Sequence, residues 1–540
     1  MAHPGETVAV TIVDQRLTEE AASLVQQLVD ESVASKLAAQ DPTLWGPEAE
    51  AESAVRLAWT TLHETSRPLL AEIDALRAEL HAEGVDRVVL AGMGGSSLAP
   101  EVITGTAGVP LVVLDTTDPG QVADALAGDL TRTVLVVSSK SGSTVETDSH
   151  RRIFAKAFAD EGIDAASRIV VVTDPGSPME AASVEAGYRK VFLANPNVGG
   201  RYSALTAFGL VPAGLAGADV AELLDDAADA ARILSTDTED NPALLLAAAL
   251  GAAHSRGAEK VVIADTGSGI KGFGDWAEQL VAESTGKDGT GLLPVVVADA
   301  DSPGFADAGE DATPIAIGPP VSAIATSGPL GGQILLWEYA TAIVGRLLGI
   351  NPFDQPDVEA AKTAARALLD SPDASAEVAP SFVDGDVELY PSDGWLPEGV
   401  DSLPGALTAL LDAAPEFGYV SVQAYLDRLD DASALLLRSE VARRSGLQTT
   451  FGWGPRFLHS TGQYHKGGHQ NGVFLQITGA VEEDLPVPDR PYTLGVLQHA
   501  QALGDGQVLA DHGRPVLRLH FTDRAAGLAH LVKALSEVNR

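Results

Sequence analysis

Gln279 and Glu283 stand four residues apart in the stretch 276–287, so both would project from one face of a helix. Leu280 and Val281 give that helix an apolar stripe, and Gly286 stands where it would stop. A carboxylate in the last turn meets the negative end of the helix dipole, a setting in which it can take and return a proton near neutral pH. Taken alone, the stretch reads equally well as a solvated helix end. Other segments decide between the two.

Gly92-Met93-Gly94-Gly95-Ser96-Ser97 follows an apolar run and precedes a helix expected from Leu98, which offers a phosphate close backbone approach and a positive helix end. It also admits a dinucleotide reading, with Asp115 where a ribose-binding acid would sit, although the third glycine is missing. Ser138-Ser139-Lys140-Ser141-Gly142-Ser143-Thr144 gathers hydroxyl donors around one glycine ahead of a second helix. That composition suits a phosphate monoester, the plainer alternative being a solvated turn capped at Ser143 or Thr144. Gly199-Gly200-Arg201-Tyr202-Ser203 places a permanently charged fork after two glycines. Arg201, Lys287 and Lys362 could otherwise simply pair with surface acids. The span 457–469 holds three of the 12 histidines, His459, His465 and His469. A metal site is disfavoured there, because intervening glycines spoil helical ligand spacing and the chain has no cysteine. A core histidine is the commoner setting for His459.

The elements that must carry these residues follow from periodicity. Residues 17–80 show helical spacing, with few glycines. Continuous apolar runs at 87–91, 111–115, 134–138 and 169–173 alternate with helical stretches, the pattern of a parallel sheet covered on both faces. After Ala-rich helices over 220–254, Lys260-Val261-Val262-Ile263-Ala264-Asp265 followed by Thr266-Gly267-Ser268-Gly269 echoes the first strand and loop. Strands at 294–298 and 314–317 and helices at 331–348 and 358–369 continue this second unit. Residues 370–405 are rich in Pro, Asp and Ser and mark a boundary. Strands at 419–423, 473–478 and 516–521, with helices at 432–445 and 494–503, then form a further α/β region.

Bulk properties narrow the partners. The 540 residues carry 35 basic and 75 acidic side chains, a net charge of −40, which argues against nucleic acid and anionic membranes. A basic residue beside a Ser/Gly loop is therefore informative. The absence of cysteine removes disulfides and thiolate chemistry. Neither a secretory signal nor an apolar run of the roughly 18 residues of a membrane span is visible, so a soluble, cytoplasmic protein is expected.

Together these segments resemble the glucose-6-phosphate isomerase family, over about 85–369 and again near 452–472. The carriers are Gly94-Gly95-Ser96, Ser139-Lys140-Ser141-Gly142-Ser143-Thr144, Gly199-Gly200-Arg201-Tyr202-Ser203, the helix with Gln279 that ends in Glu283-Ser284-Thr285-Gly286-Lys287, and Asn351-Pro352-Phe353-Asp354-Gln355-Pro356 with Lys362, in family order. One departure stands out. Residues 291–330 contain no histidine, and the family's Leu-His-Ser-x-Gly-Gln segment is matched far downstream by Leu458-His459-Ser460-Thr461-Gly462-Gln463. This is similar to actinobacterial-type members and to the isomerase half of transaldolase–isomerase fusions. The resemblance implies an α/β fold of two flavodoxin-like sugar-isomerase domains (81–220 and 221–375), N-terminal helices (1–80) and a C-terminal α/β extension (376–540) that brings in His459, from its own chain or a partner subunit.

It further implies interconversion of glucose 6-phosphate and fructose 6-phosphate without metal or cofactor, in a homodimer. Glu283 would be the base, Arg201 the enediolate stabiliser, and His459 with Lys362 the ring-opening groups. Gly95, Ser96, Ser139, Lys140, Ser141 and Thr144 would hold phosphate, with Gln279 and Gln355 orienting the sugar. The rivals are a non-catalytic sugar-phosphate regulator, an isomerase that also accepts mannose 6-phosphate, and an NAD-dependent oxidoreductase.

Overall fold

The computed structural model describes residues 7–370 and 379–538. Its strands in chain order are β1 (Ala9–Ile12), β2 (Arg87–Gly92), β3 (Val112–Leu114), β4 (Thr133–Ser138), β5 (Ile169–Thr173), β6 (Lys190–Leu193), β7 (Lys260–Asp265) and β8 (Leu293–Val297), then β9 (Ala312–Ile317), β10 (Ile324–Ser327), β11 (Phe382–Asp384), β12 (Val387–Pro391), β13 (Tyr419–Tyr425), β14 (Gln448–Trp453), β15 (Gly472–Gly479) and β16 (Val516–Phe521). They form three sheets, ordered β3-β2-β4-β5-β6, β1-β10-β9-β7-β8 and β11-β12-β16-β15-β13-β14.

Each sheet contains the same parallel core. Numbered within its own unit, every core runs 2-1-3-4, the flavodoxin-like order. The alternating β/α pattern produces it, because strands buried on both faces must be nearly continuous apolar runs. Val134, Leu135, Val136 and Val137 are almost fully buried, as are Ile169, Val170, Val171 and Val172. In the first sheet, Gly92 is registered against Ser138 at the carboxyl ends of β2 and β4. The strand order reverses there, and the Gly- and Ser-rich loops leave side by side.

Three features depart from the sequence expectation. The segment 1–80 is not purely helical, because β1 adds an antiparallel edge to the second sheet, pairing Ala9 with Ser327 and Ile12 with Ile324. Strands β6, β10 and β14 escape the apolar-run criterion, being short or mixed with Lys, Thr and Gln. The expected C-terminal α/β region builds its own sheet, but with an unforeseen antiparallel edge, strands β11 and β12. The boundary expected at 375/376 lies outside the described residues.

One apolar core runs continuously from Val8 through the N-terminal helices and both first sheets to Phe353. The C-terminal sheet has a core of its own, which includes Leu389, Val422, Leu475 and Leu519. It is also docked at two places. Tyr419, Tyr464, Phe474 and Leu509 pack with Val262 and Val295 of the second sheet, while Leu494 and Leu497 pack against the apolar face of the first. That double anchorage carries residues 456–467 into the crevice between the first two units.

Candidate active site

The crevice opens into a cavity of about 590 Å³. Gly95, Ser96, Ser139, Lys140, Ser141 and Thr144 line one side of it. The glycines serve close approach. A Cβ on Gly95 would lie 1.9 Å from the Gly200 carbonyl, and one on Gly94, whose φ is +55°, would lie 2.8 Å from the His459 carbonyl. Only bare backbone lets the Arg201 loop and the His459 segment close on the first loop.

In the second loop Ser139 Oγ lies 2.9 Å from Thr144 Oγ1 and accepts from the Gly142 N–H at 3.1 Å. Ser141 Oγ lies 3.0 Å from Ser143 Oγ and accepts from the Ser143 N–H at 3.2 Å. Thr144 occupies the cap position of the Val145–Asp160 helix but makes no capping hydrogen bond. The plainer reading of a simple helix cap at Thr144 therefore fails, and the positive end of that helix is left to the cavity. Lys140 differs from expectation: its ammonium is engaged by Asp174, whose half-buried carboxyl is pushed up by burial against the pull of that lysine.

Opposite lies the Phe273–Thr285 helix, with Glu283 in its last turn. Gln279 donates from Nε2 to Glu283 Oε2 at 3.0 Å and to the His459 carbonyl at 2.8 Å, fastening the carboxylate beside the histidine segment. It thus ties two elements together. Arg201 is 2% exposed and sits behind Glu283 rather than on the cavity wall, with Nη1 3.4 Å from Glu283 Oε1. Its fork donates to Ser284 Oγ at 2.8 Å, Gln355 Oε1 at 2.8 Å, the Pro352 carbonyl at 2.7 Å and the Asp354 carbonyl at 3.0 Å. Lys287 is scaffold as well. Its buried ammonium donates to the Asn351 and Asp354 carbonyls and to Asp354 Oδ1, each at 2.7 Å, fixing the turn that presents Gln355. Burial and neighbouring Arg201 bring that ammonium down to about 8 despite Asp354.

His459 reaches the cavity within its own chain, and its partner is a residue that sequence reasoning missed. His459 Nε2 lies 3.0 Å from Glu146 Oε1, and Glu146 is 3% exposed. Glu146 occupies the first turn of the Val145–Asp160 helix. A carboxylate there is ordinarily read as a dipole-complementing surface acid, and burial is not visible in the sequence. Burial pushes this carboxyl up, but His459, the carboxyl's own backbone N–H and Lys362 overcome that and hold it down at about 2, against 4.5 ordinarily. A carboxyl lowered on folding adds stability that is complete above about pH 4.5 and lost as pH falls towards 2. The wild type should therefore lead Glu146→Gln by up to about 3 kcal/mol at pH 7. The lead should shrink between pH 5 and pH 3, as read from urea midpoints across that range.

Lys362 lines the same cavity, as does Gln355. The remaining histidines of the cluster lie elsewhere: His465 is buried between Tyr419 and Ser421, and His469 meets Glu259. Asp115 does not stand open for a ribose. It is 1% exposed and paired with Arg456 Nη1 at 2.9 Å, which removes the main support of the dinucleotide reading.

The chain is similar to known proteins over part of this arrangement. The family model described as phosphoglucose isomerase matches residues 63–313. A protein of Haloarcula marismortui named "Probable glucose-6-phosphate isomerase" is 30% identical over 341 residues, covering 53% of this chain and 78% of that relative. The chain belongs to the glucose-6-phosphate isomerase family. A glucose-6-phosphate isomerase of Levilactobacillus brevis is 31% identical over 308 residues, 46% of this chain and 68% of the relative. Among solved structures, a hypothetical protein of Thermus thermophilus matches with a TM-score of 0.57 and 26% identity, over 67% of this chain and all of the other. A glucose-6-phosphate isomerase of Chlamydia trachomatis shares the fold, with a TM-score of 0.54 at 20% identity over 67% of this chain and 88% of that one. The family match takes in Glu283, Arg201 and both phosphate-type loops, but Gln355, Lys362 and His459 lie beyond residue 313. No helix among the described residues is long and apolar enough to cross a membrane.

Proposed function

We propose that this chain interconverts glucose 6-phosphate and fructose 6-phosphate through an enediolate, with Glu283 as the base. The observation that carries the reading is convergence: Gln279 binds both Glu283 and the His459 segment, Arg201 backs Glu283, and hydroxyl-lined loops close the other end of one sugar-sized cavity.

The steps follow from these positions. Ser139, Ser141, Thr144 and the free end of the Val145–Asp160 helix hold the phosphate, with Gly95 and Ser96 alongside. Lys362 supplies local positive charge in a chain whose net charge of −40 would otherwise repel the substrate, and Lys140 stands at the phosphate loop beside its partner Asp174. His459, held by Glu146 and helped by Lys362, gives a proton to the ring oxygen while the anomeric hydroxyl loses one, leaving an open-chain carbonyl. Glu283 then removes the proton from C2 and returns it to C1. Negative charge builds on the substrate oxygens during that transfer, and the fixed Arg201 charge behind Glu283 opposes its cost. Gln279 and Gln355 orient the sugar. The homodimer and the cytoplasmic setting implied by the family are part of this reading, although every residue named here comes from one chain. The division at 80/81, 220/221 and 375/376 is proposed as its layout.

A regulator that only binds sugar phosphate would have no use for Glu283 on the cavity wall, backed by the buried Arg201, beside His459. The test is conversion of fructose 6-phosphate to glucose 6-phosphate by the purified protein in a dehydrogenase-coupled assay, with mannose 6-phosphate formation followed in parallel. Turnover to glucose 6-phosphate is the expected result. Saturable binding without turnover would replace the enzyme with a sensor.

A further inference from the structure

Glu146 is held from two directions, and the second hold comes from a residue outside the matched family segment. Gln501 lies on the Leu494–Asp511 helix of the C-terminal region, is 4% exposed, and donates from Nε2 to Glu146 Oε1 at 2.7 Å. The oxygen that receives it is the one facing His459 Nε2 at 3.0 Å. An ionised carboxylate only accepts, so the amide must present its nitrogen to Glu146. Its oxygen then accepts from Thr117 Oγ1 at 2.8 Å, and Thr117 is fully buried.

The helix is placed to do this. Leu497, one turn earlier, lines the cavity, and Gly504, nearly one turn later, lets the Val358–Asp370 helix close in, since a Cβ there would lie 2.8 Å from the Ala365 nitrogen. A purely structural position between two packed helices would be filled as well by an apolar side chain.

We propose that Gln501 is a positioning residue for ring opening: with Thr117 it fixes the Glu146 carboxylate, and the carboxylate in turn orients His459. The proposal rests on the isomerase reading above. The groups facing Glu146 are His459, Lys362, Gln501 and, one turn further along its own helix, His150, whose complete burial brings it down to about 4. Gln501 adds a donor that favours the ionised carboxylate.

Ring opening can be read apart from isomerisation. Protonation of the ring oxygen breaks its bond to the anomeric carbon, the anomeric hydroxyl yields its proton, and closure on the other face returns the opposite anomer with nothing gained or lost. Anomer exchange of glucose 6-phosphate is therefore measured by NMR exchange spectroscopy in Glu283→Gln, where transfer between C1 and C2 is blocked. Adding Gln501→Met should slow exchange by roughly tenfold or more, the scale of a hydrogen bond to a charged group. Affinity for 6-phosphogluconate, whose C1 carboxylate forms no hemiacetal, should stay within about twofold. Adding Gln501→Glu instead sets two carboxyls against one another, which must share a proton. Exchange should then be weak at neutral pH and recover on acidification, a limb absent from the parent. Exchange at the parental rate in both variants, or a loss in Gln501→Glu that acidification does not reverse, would overturn the role of Gln501 alone. No exchange above the uncatalysed rate in the parent would overturn ring opening by His459, and the Gln501 role with it.

Discussion

Glu283→Gln should lower kcat/KM for fructose 6-phosphate by roughly 10³- to 10⁴-fold, the upper range of what a positioned base supplies. The amide is nearly isosteric and its single oxygen can still accept from Arg201 or from Gln279, so the helix end should keep its geometry at the cost of one contact. What disappears is the group that accepts the C2 proton. Binding of 6-phosphogluconate, followed by calorimetry, should therefore persist with near-parental affinity. The anomer exchange described above should persist too, because ring opening belongs to His459. Steady-state kinetics beside these two measurements separate the possibilities. Near-normal turnover would remove Glu283 from the mechanism, and joint loss of turnover and binding would indicate a collapsed site.

Arg201→Lys separates charge from geometry and should cost both activity and stability. The guanidinium reaches Ser284, Gln355, Pro352 and Asp354 from fixed positions, and a single ammonium cannot span that set. Lys287 still meets the Asp354 carbonyl, but the Pro352 carbonyl and Gln355 Oε1 lose their donor, and acceptors left unpaired inside the protein cost about 1–3 kcal/mol each, so a loss of about 2–4 kcal/mol in unfolding free energy is expected. Without the fork the turn 351–356 loosens and Gln355 is displaced. The charge behind Glu283 also moves from where the enediolate needs it, and kcat should fall by roughly 10²- to 10³-fold, more than KM rises. Chemical denaturation and initial-rate kinetics on one preparation test both halves. Lost stability with normal kcat would make Arg201 scaffold only. Lost kcat with parental stability would show that its fork serves the reaction and not the turn.

Much of this protein was legible locally. The Ser139–Thr144 loop, the helix that follows it and the Glu283 helix could be read because turn chemistry and helical period are properties of adjacent residues. The apolar runs identified the buried parallel strands for the same reason. Short mixed strands such as β6 and β14 were not legible, since their burial comes from neighbours in the sheet and not from their own composition. The repeat of one strand order in the third sheet was equally hidden, because order is a matter of which strands pair.

At the site the division is sharper. Residue types and family order, taken from the sequence, nominated Glu283, Arg201 and His459 and supplied the isomerase reading. Tertiary structure alone decided that Arg201 stands behind the base, that Lys140 is met by Asp174, and that Asp115 is closed off by Arg456. It also decided that His459 meets Glu146 across 313 residues of chain, a contact made by the docking of the C-terminal sheet on the first two units. A sequence records what each side chain can do with its near neighbours. Which distant charge it meets, and whether water is excluded there, is settled only when separately folded layers pack.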